Sequence, residues 1–384
     1  MNPLFADTPT SIFEHMSMLA RAHGAINLGQ GFPDFGWPDD VVAKAAEALT
    51  GGSNQYPPMR GLPELRQAVA DHYRRHQGLE VSPDEVTVTS GATEALAAAL
   101  MALIEPGDEV VLVQPLYDAY VPIVRRAGGV PRFVRLVPPD WRITSDALAE
   151  AFSERTRLVV FNNPHNPTAR VFDPEELGLL AGACLRHDAI AVADEVWEHV
   201  VFDGRAHTPL AALPGMRERT VKVGSAGKIF SLTGWKVGWV LAPEALAVPI
   251  SKAHQFIAFA TPPNLQTAVA YGLGKQDACF VAMRANFQAA RDAMAEGLRA
   301  AGFATLAAQG TYFLSIDLTA SGIDADDVTF CDRAVSEAGV AAIPLSPFYE
   351  EDPATNVVRL CFAKQPATIA AGLEKLGSAR GLFV

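Results

Sequence analysis

The sequence predicts an α/β protein: an open, mostly parallel sheet between helices, followed by a smaller α+β domain. Three observations carry that expectation. From Glu85 to about Leu241, short apolar runs alternate with helical patterns, as strands covered on both faces by crossover helices do. Of the 384 residues, 49% are hydrophobic and 19% charged, which suits a large core and argues against disorder. From Gly310 the pattern changes to strands separated by helical stretches.

Taken in order, residues 12–23 read as a helix, and "NLGQGFPDFG" as an irregular, glycine-rich segment. Residues 41–49 are helical. "GGSNQYPPMRGLPELRQAV" is a loop and then a helix from Pro63, with its proline in the first turn, where proline is tolerated. "EVTVTSG" is a strand feeding the helix "ATEALAAALMALI", and "DEVVLVQP" a strand feeding the helix "LYDAYVPIVRRAG". "VPRFVRL", "TRLVVFNNP", "AIAVADE" and "TVKVGSAG" are further strands, with the helix "DPEELGLLAGACLRHD" before Ala189. Residues 251–272 and 281–301 read as helices. "TYFLSIDL", "VAAIPLSP" and "VVRLCFAK" are the later strands. The expected division is a large domain over 37–280 and a discontinuous small domain over 1–36 and 281–384.

Charge and cysteines narrow the function. Lys and Arg number 31 against 43 Asp and Glu, a net charge of −12, which disfavours sequence-independent nucleic-acid binding. Cys184, Cys279, Cys331 and Cys361 are scattered, without the spacing of a zinc or redox motif, so no metal is expected. The opening residues carry acids and lack a basic start followed by an apolar run. No run approaches membrane-spanning length. A cytoplasmic protein is expected.

Functional groups in open α/β sheets gather past the carboxyl ends of strands. Four such ends are unusual here. "TVTSGATEAL" ends in Ser-Gly and opens a helix near Thr93, either an anion cup or an ordinary cap. "FNNPHNPTARVF" ends in a run of Asn and Pro. "AIAVADEVWEH" puts Asp194 and Glu195 after five apolar residues; each is either paired at depth or a surface acid. "TVKVGSAGKIFSLTGWKVGW" holds Lys228 and Lys236 among small residues. It is no P-loop, since Lys222 and Ile229 occupy the required Gly and Ser/Thr places, and "LGQGF" lacks a third glycine at Asp34. Arg359, inside the apolar "VVRLCF", needs an anion, from a substrate or a structural salt bridge. Lys236 serves an anion or is a solvated surface lysine.

One cofactor chemistry uses all of these groups. Pyridoxal 5′-phosphate is held by a lysine amine, a carboxylate pairs with its pyridinium nitrogen, and its phosphate sits among N–H groups, hydroxyls and cations. Lys228, Asp194, the 90–93 turn, Ser225 and Lys236 supply that set.

The motifs "NLGQGFPDF", "NQYPPMRGLPELR", "NNPHNPT", "ADEVWEHVVFDG", "GSAGKIFSLTGWKVGW" and "VVRLCFAK" resemble, in order and over nearly the whole chain, the fold-type I, class I/II aminotransferases. The resemblance is nearest to the kynurenine/glutamine aminotransferase branch (cysteine-S-conjugate β-lyases), with the methionine aminotransferases as relatives. It implies a PLP-dependent transferase fold type I, with a seven-stranded sheet in the large domain. It also implies ping-pong transfer of an amino group from a methionine, glutamine, aromatic or kynurenine-like donor to a 2-oxo acid. Cleavage of cysteine S-conjugates is the alternative on the same site.

By the same resemblance, Lys228 is the Schiff-base lysine, Asp194 the pyridinium partner, Asn166 the donor to the ring hydroxyl and Tyr117 the stacking ring. Gly91, Ala92, Thr93, Ser225 and Lys236 surround the phosphate. Tyr56 reaches the phosphate of a neighbouring subunit, so a homodimer with shared sites is implied. Arg359 clamps the substrate carboxylate with Gly31 beside it, and Phe259 and Tyr312 line the side-chain pocket. Three departures stand out. Trp197 replaces the usual tyrosine, and an indole N–H donates but does not titrate like a phenol. Ala169 replaces a glycine. The rim aromatic of the kynurenine enzymes is expected to be replaced near Ile12.

Overall fold

The computed structural model describes residues 3–6 and 10–384. Residues 1, 2 and 7–9, assigned above to the small domain, lie outside them. The large sheet has seven strands in the order Val86–Thr89, Gly238–Leu241, Thr220–Ser225, Ile190–Asp194, Thr156–Asn162, Glu109–Gln114, Val130–Arg135. All neighbours are parallel except Gly238–Leu241, which runs antiparallel to both strands beside it. Four of these strands, Val86–Thr89, Glu109–Gln114, Thr220–Ser225 and Gly238–Leu241, are buried along their whole length, as helices on both faces require.

Local signals explain the crossover helices. Pro174–Arg186 opens with a capping box: Glu176 N–H donates to Asp173 Oδ1 at 3.0 Å and Asp173 N–H to Glu176 Oε2 at 3.1 Å. Ile12–His23 starts at Ser11, whose hydroxyl accepts from Glu14 N–H, and ends at Gly24 with φ 60°.

Later residues build a four-stranded antiparallel sheet in the order Ile343–Pro344, Val357–Cys361, Phe313–Asp317, Ala304–Thr305. The early pair Ile26–Asn27 joins Val340–Ala341 in parallel. The segment after Asn27 is fastened to this region: Cys361 N–H donates to Leu28 O at 2.7 Å and Gln365 N–H to Asp34 Oδ1 at 2.7 Å.

Some elements differ from expectation. The single helix read over 251–272 is two, Glu244–Ile257 and Pro263–Leu273. Paired prolines at 262 and 263 remove backbone donors and force the preceding residues out of helical geometry. "VAAIPLSP" divides into two two-residue strands. Gly238–Leu241, Ile26–Asn27 and Ala304–Thr305 were not read as strands, being too short or too close to glycine to show a period.

The antiparallel strand sets the site's floor. Gly238 pairs with Ser225 on one side and Thr89 on the other. A Cβ at Gly238 would lie 2.7 Å from Gly91 C, 2.8 Å from Ala92 N and 2.9 Å from Gly224 O. These are backbone atoms that no rotamer change can move. Gly238→Ala is therefore expected to cost about 1–3 kcal/mol, read as a lower denaturant midpoint by circular dichroism. An unchanged midpoint contradicts this packing.

Candidate active site

The parallel register brings the strand ends together, with Asn162 opposite Asp194 and Asp194 opposite Val223, and the antiparallel neighbour sets Gly238 opposite Ser225. A cavity of about 340 Å³ opens above them. Of the residues expected at a site, Gly31, Gly91, Ala92, Thr93, Tyr117, Asn166, Asp194, Trp197, Ser225, Lys228, Lys236 and Arg359 line it.

Lys228 sits in the short helix Ala226–Ile229 that follows the strand Thr220–Ser225. Its amine donates to Tyr312 Oη at 3.1 Å and lies 4.6 Å from the centre of the Trp197 ring. Burial drives its pKa from the ordinary 10.5 to about 8, against the pull of Asp194 and with the help of Arg359 and Lys236. Asp194 is buried. Burial raises its pKa, opposed by the Tyr120 hydroxyl, which donates to Oδ2 at 2.6 Å, and by Val196 N–H.

Arg359 is on the central strand of the smaller sheet, opposite Ser315 and Ile343. Its side chain is fully buried, and burial lowers its pKa to about 10. Nη1 donates to Asn166 Oδ1 at 2.7 Å, Nη2 faces Gly29 O at 3.5 Å, and Nε has no partner. Among the described residues no carboxylate lies within salt-bridge distance. The guanidinium is instead wrapped by the rings of Phe313, Phe348 and Phe13, at 3.9, 5.1 and 5.2 Å. Of the two readings open from sequence, the salt bridge is thus absent.

At the other end, Gly91 (φ 76°) and Lys236 (φ 54°) both take left-handed backbone conformations. A Cβ at Gly91 would stand 3.3 Å from Lys236 Nζ, so the ammonium is drawn across the N-terminus of the helix Gly91–Leu103. First-turn N–H groups have no acceptor within their helix, and with this cation they form a cradle for a doubly charged anion. The donor set fits pyridoxal 5′-phosphate: an anion cradle, a buried amine, a buried carboxylate beyond it, and an unpaired guanidinium for an incoming carboxylate.

Three expected residues lie elsewhere. Tyr312 does not line the cavity; it lies behind Lys228, and its hydroxyl donates to Gly31 O. Tyr312 lies in the turn just before the strand Phe313–Asp317, and Phe313 takes the wall. Phe259 (φ 64°) is 39% exposed and packs edge-on against Tyr56 at 5.6 Å, outside the cavity. Tyr56 is 86% exposed on the same outer face. The rim aromatic expected to be missing near Ile12 is supplied by Phe13, the next residue. Ala169 takes φ 61°, so the turn there keeps the left-handed backbone that a glycine would adopt freely. Sequence reading also missed Tyr120 and Phe313; the helix expected from "LYDAY" begins only at Tyr120, so Tyr117 lies in the turn before it.

In the cofactor-free chain, reductive methylation of Lys228, followed by mass spectrometry, is expected to rise with pH through a midpoint near 8. A midpoint near 10.5, as for a solvated lysine, overturns this account of the amine.

A family model for aminotransferase class I and II matches residues 23–376. The structure superposes on that of an Escherichia coli protein with a methionine aminotransferase function, with TM-score 0.94, 40% identity and 98% of each chain covered. It superposes equally, at 0.94, on N-succinyldiaminopimelate aminotransferase from Mycobacterium tuberculosis, with 42% identity over 98% of this chain and 99% of the other. Kynurenine–oxoglutarate transaminase 1 of Homo sapiens is 38% identical, with 93% of each chain covered.

Proposed function

The chain belongs to the class I and II aminotransferases and moves an amino group between an L-amino acid and a 2-oxo acid; from that premise we propose that it does so with pyridoxal 5′-phosphate in the cavity above the sheet. The observation that carries this reading is a fully buried guanidinium without a carboxylate, facing the same cavity as a buried amine whose pKa lies near 8.

When bound, the cofactor supplies an electron sink conjugated to the substrate Cα. The protein's residues do the rest. Lys228 would hold the cofactor through its aldehyde carbon. Its amine then takes the proton from the substrate Cα, and a pKa near 8 keeps a useful fraction unprotonated near neutrality. Asp194, held by Tyr120, keeps the ring nitrogen protonated. Asn166 spends its amide oxygen on Arg359, which leaves its N–H groups for the ring hydroxyl. Tyr117 covers a ring face. Gly91, Ala92, Thr93, Ser225 and Lys236 hold the phosphate. Trp197 offers the amine the face of its indole. Arg359 binds the substrate carboxylate through a paired fork of N–H groups that lysine cannot reproduce, with Gly31 N–H beside it.

Phe13, Phe32, Trp197 and Phe313 make the remaining walls largely aromatic. Donors with thioether, aromatic or uncharged amide side chains (methionine, aromatic or kynurenine-like, glutamine) are therefore the substrate class. A second carboxylate, as in aspartate, meets no fourth cation among the described lining residues. Tyr56 and Phe256, 86% and 85% exposed, with Phe259 beside Tyr56, support a homodimer in which Tyr56 completes the partner's phosphate site. Cysteine S-conjugate cleavage would use the same groups, but the relatives are named for transamination. No helix among the described residues is long and apolar enough to cross a membrane.

The test is the absorption spectrum of the purified protein as single L-amino acids are added without an oxo acid. Methionine or an aromatic donor is expected to convert the aldehyde-form band to the amine form faster than aspartate. Lys228→Ala abolishes conversion, and Arg359→Lys raises the KM for the amino acid by roughly 30-fold or more. Aspartate as the fastest donor refutes the substrate class. Pyruvate release from a cysteine S-conjugate, with no band conversion, favours the lyase.

A further inference from the structure

Helix Gly91–Leu103, whose N-terminus forms the phosphate cradle, carries Glu94 in its first turn. Glu94 Oε2 accepts from Ser90 N–H at 2.7 Å, so the carboxylate sits directly behind the cradle. An unpaired negative charge there opposes a bound phosphate dianion. The structure answers it with His254, on helix Glu244–Ile257, whose side chain is fully buried. His254 Nδ1 lies 2.8 Å from Glu94 Oε1, and Nε2 lies 2.9 Å from Met59 O.

A carboxylate and a carbonyl are both acceptors, so the ring serves both only with a proton on each nitrogen. A neutral pair would need Glu94 protonated, against the preference of a helix N-terminus for an anion. Burial opposes the charged ring, but the Glu94 carboxylate and the backbone at Met59 and Phe259 outweigh it, and the pKa lies above the ordinary 6.5. Glu94 is the charged group facing the ring; Met59 and Phe259 face it with backbone alone.

Met59 belongs to the loop that carries Tyr56. That loop is also tied to the sheet, where Val88 N–H donates to Arg60 O at 3.0 Å. One ring thus joins this chain's phosphate cradle to the loop that reaches toward the partner's. Resting on the reading of this cavity as a pyridoxal phosphate site, we propose that His254, held as an imidazolium between Glu94 and the Met59 carbonyl, is a positioning residue for the cofactor phosphate. It cancels the charge behind the helix N-terminus and fixes that terminus to the Tyr56 loop.

The experiment loads the full chain with pyridoxal 5′-phosphate or with pyridoxal, which lacks the phosphate. The loss of visible absorbance is then followed after dilution into an aldehyde scavenger. His254→Gln is expected to speed release of the phosphorylated form at least tenfold and to leave pyridoxal release within twofold of wild type. Adding Glu94→Gln to the same chain returns the first rate to within threefold. Equal acceleration of both forms means a merely structural role and overturns the proposal, as does no acceleration. Should His254→Gln fail to fold, Glu94→Gln alone decides: release no faster than wild type supports the charge argument, and a tenfold faster release refutes it. A wild-type chain that takes up neither form ends the cofactor reading itself, and this proposal with it.

Discussion

Burying a guanidinium without a carboxylate leaves several kcal/mol of lost hydration uncompensated, and the site is organised around that cost. Arg359, Lys228 and Lys236 line one cavity whose only acidic lining residue, among those described, is Asp194. Arg359 is fully buried and Lys228 partly so, and both have lowered pKa values. Anions entering the cavity recover the missing Coulomb energy in a low-dielectric setting, where it is large. Under the proposed function, a carboxylate at Arg359 answers a deficit built into the chain, while the exposed Lys236 adds its charge at the helix N-terminus. Three aromatic rings around Arg359 exclude water and attract the cation through their faces, which keeps the guanidinium charged and in place until a carboxylate arrives.

The sheet supplies the positions. Asp194 and Glu195 are consecutive acids after the same apolar run, and their fates diverge by one residue. Asp194 faces the cavity and is held by Tyr120. Glu195 turns into the protein, where its carboxylate meets the buried Lys222 amine and Leu210 N–H. Lys222 also meets Glu198 at 2.8 Å, and Tyr73 donates to Glu198 at 3.0 Å. The set Glu195, Glu198 and His207 has the spacing of metal ligands, but the Lys222 ammonium already bonds both carboxylates. One short stretch thus builds both the catalytic carboxylate and the buried ionic scaffold behind it.

This explains how much of the site was legible in the sequence. Arg359 lies inside an apolar strand, Asp194 at the end of one and Lys228 just past another, so the strand ends indicated the one cavity that all three line. Tyr312 was misplaced because family likeness gives a position but not a side-chain direction. Phe313, one residue on, took the wall instead. The Gly238–Leu241 strand was missed because its role depends on what Gly238 touches, and an absent side chain leaves no pattern to read. The break at 258–262 was written in the paired prolines and was overridden by the helical period on either side. His254 was invisible for a different reason: a lone histidine in an amphipathic helix shows its meaning only when both ring nitrogens are seen to face acceptors.

Position 197 carries an indole. With an indole at that position, the phenol that bonds the Lys228 amine is Tyr312, at 3.1 Å. Tyr312 in turn donates to Gly31 O, in the segment whose Gly29 carbonyl faces Arg359. The amine and the carboxylate site are therefore linked through one hydroxyl: Lys228 to Tyr312 to Gly31. Two effects meet at the amine. The Asp194 carboxylate and the indole face favour its charged form, while burial and the neighbouring cations favour the neutral one. The second wins, leaving the pKa near 8. A lysine kept for its nitrogen needs that outcome, because an ammonium fixed at the ordinary 10.5 would be a structural cation and could not accept a proton near neutrality.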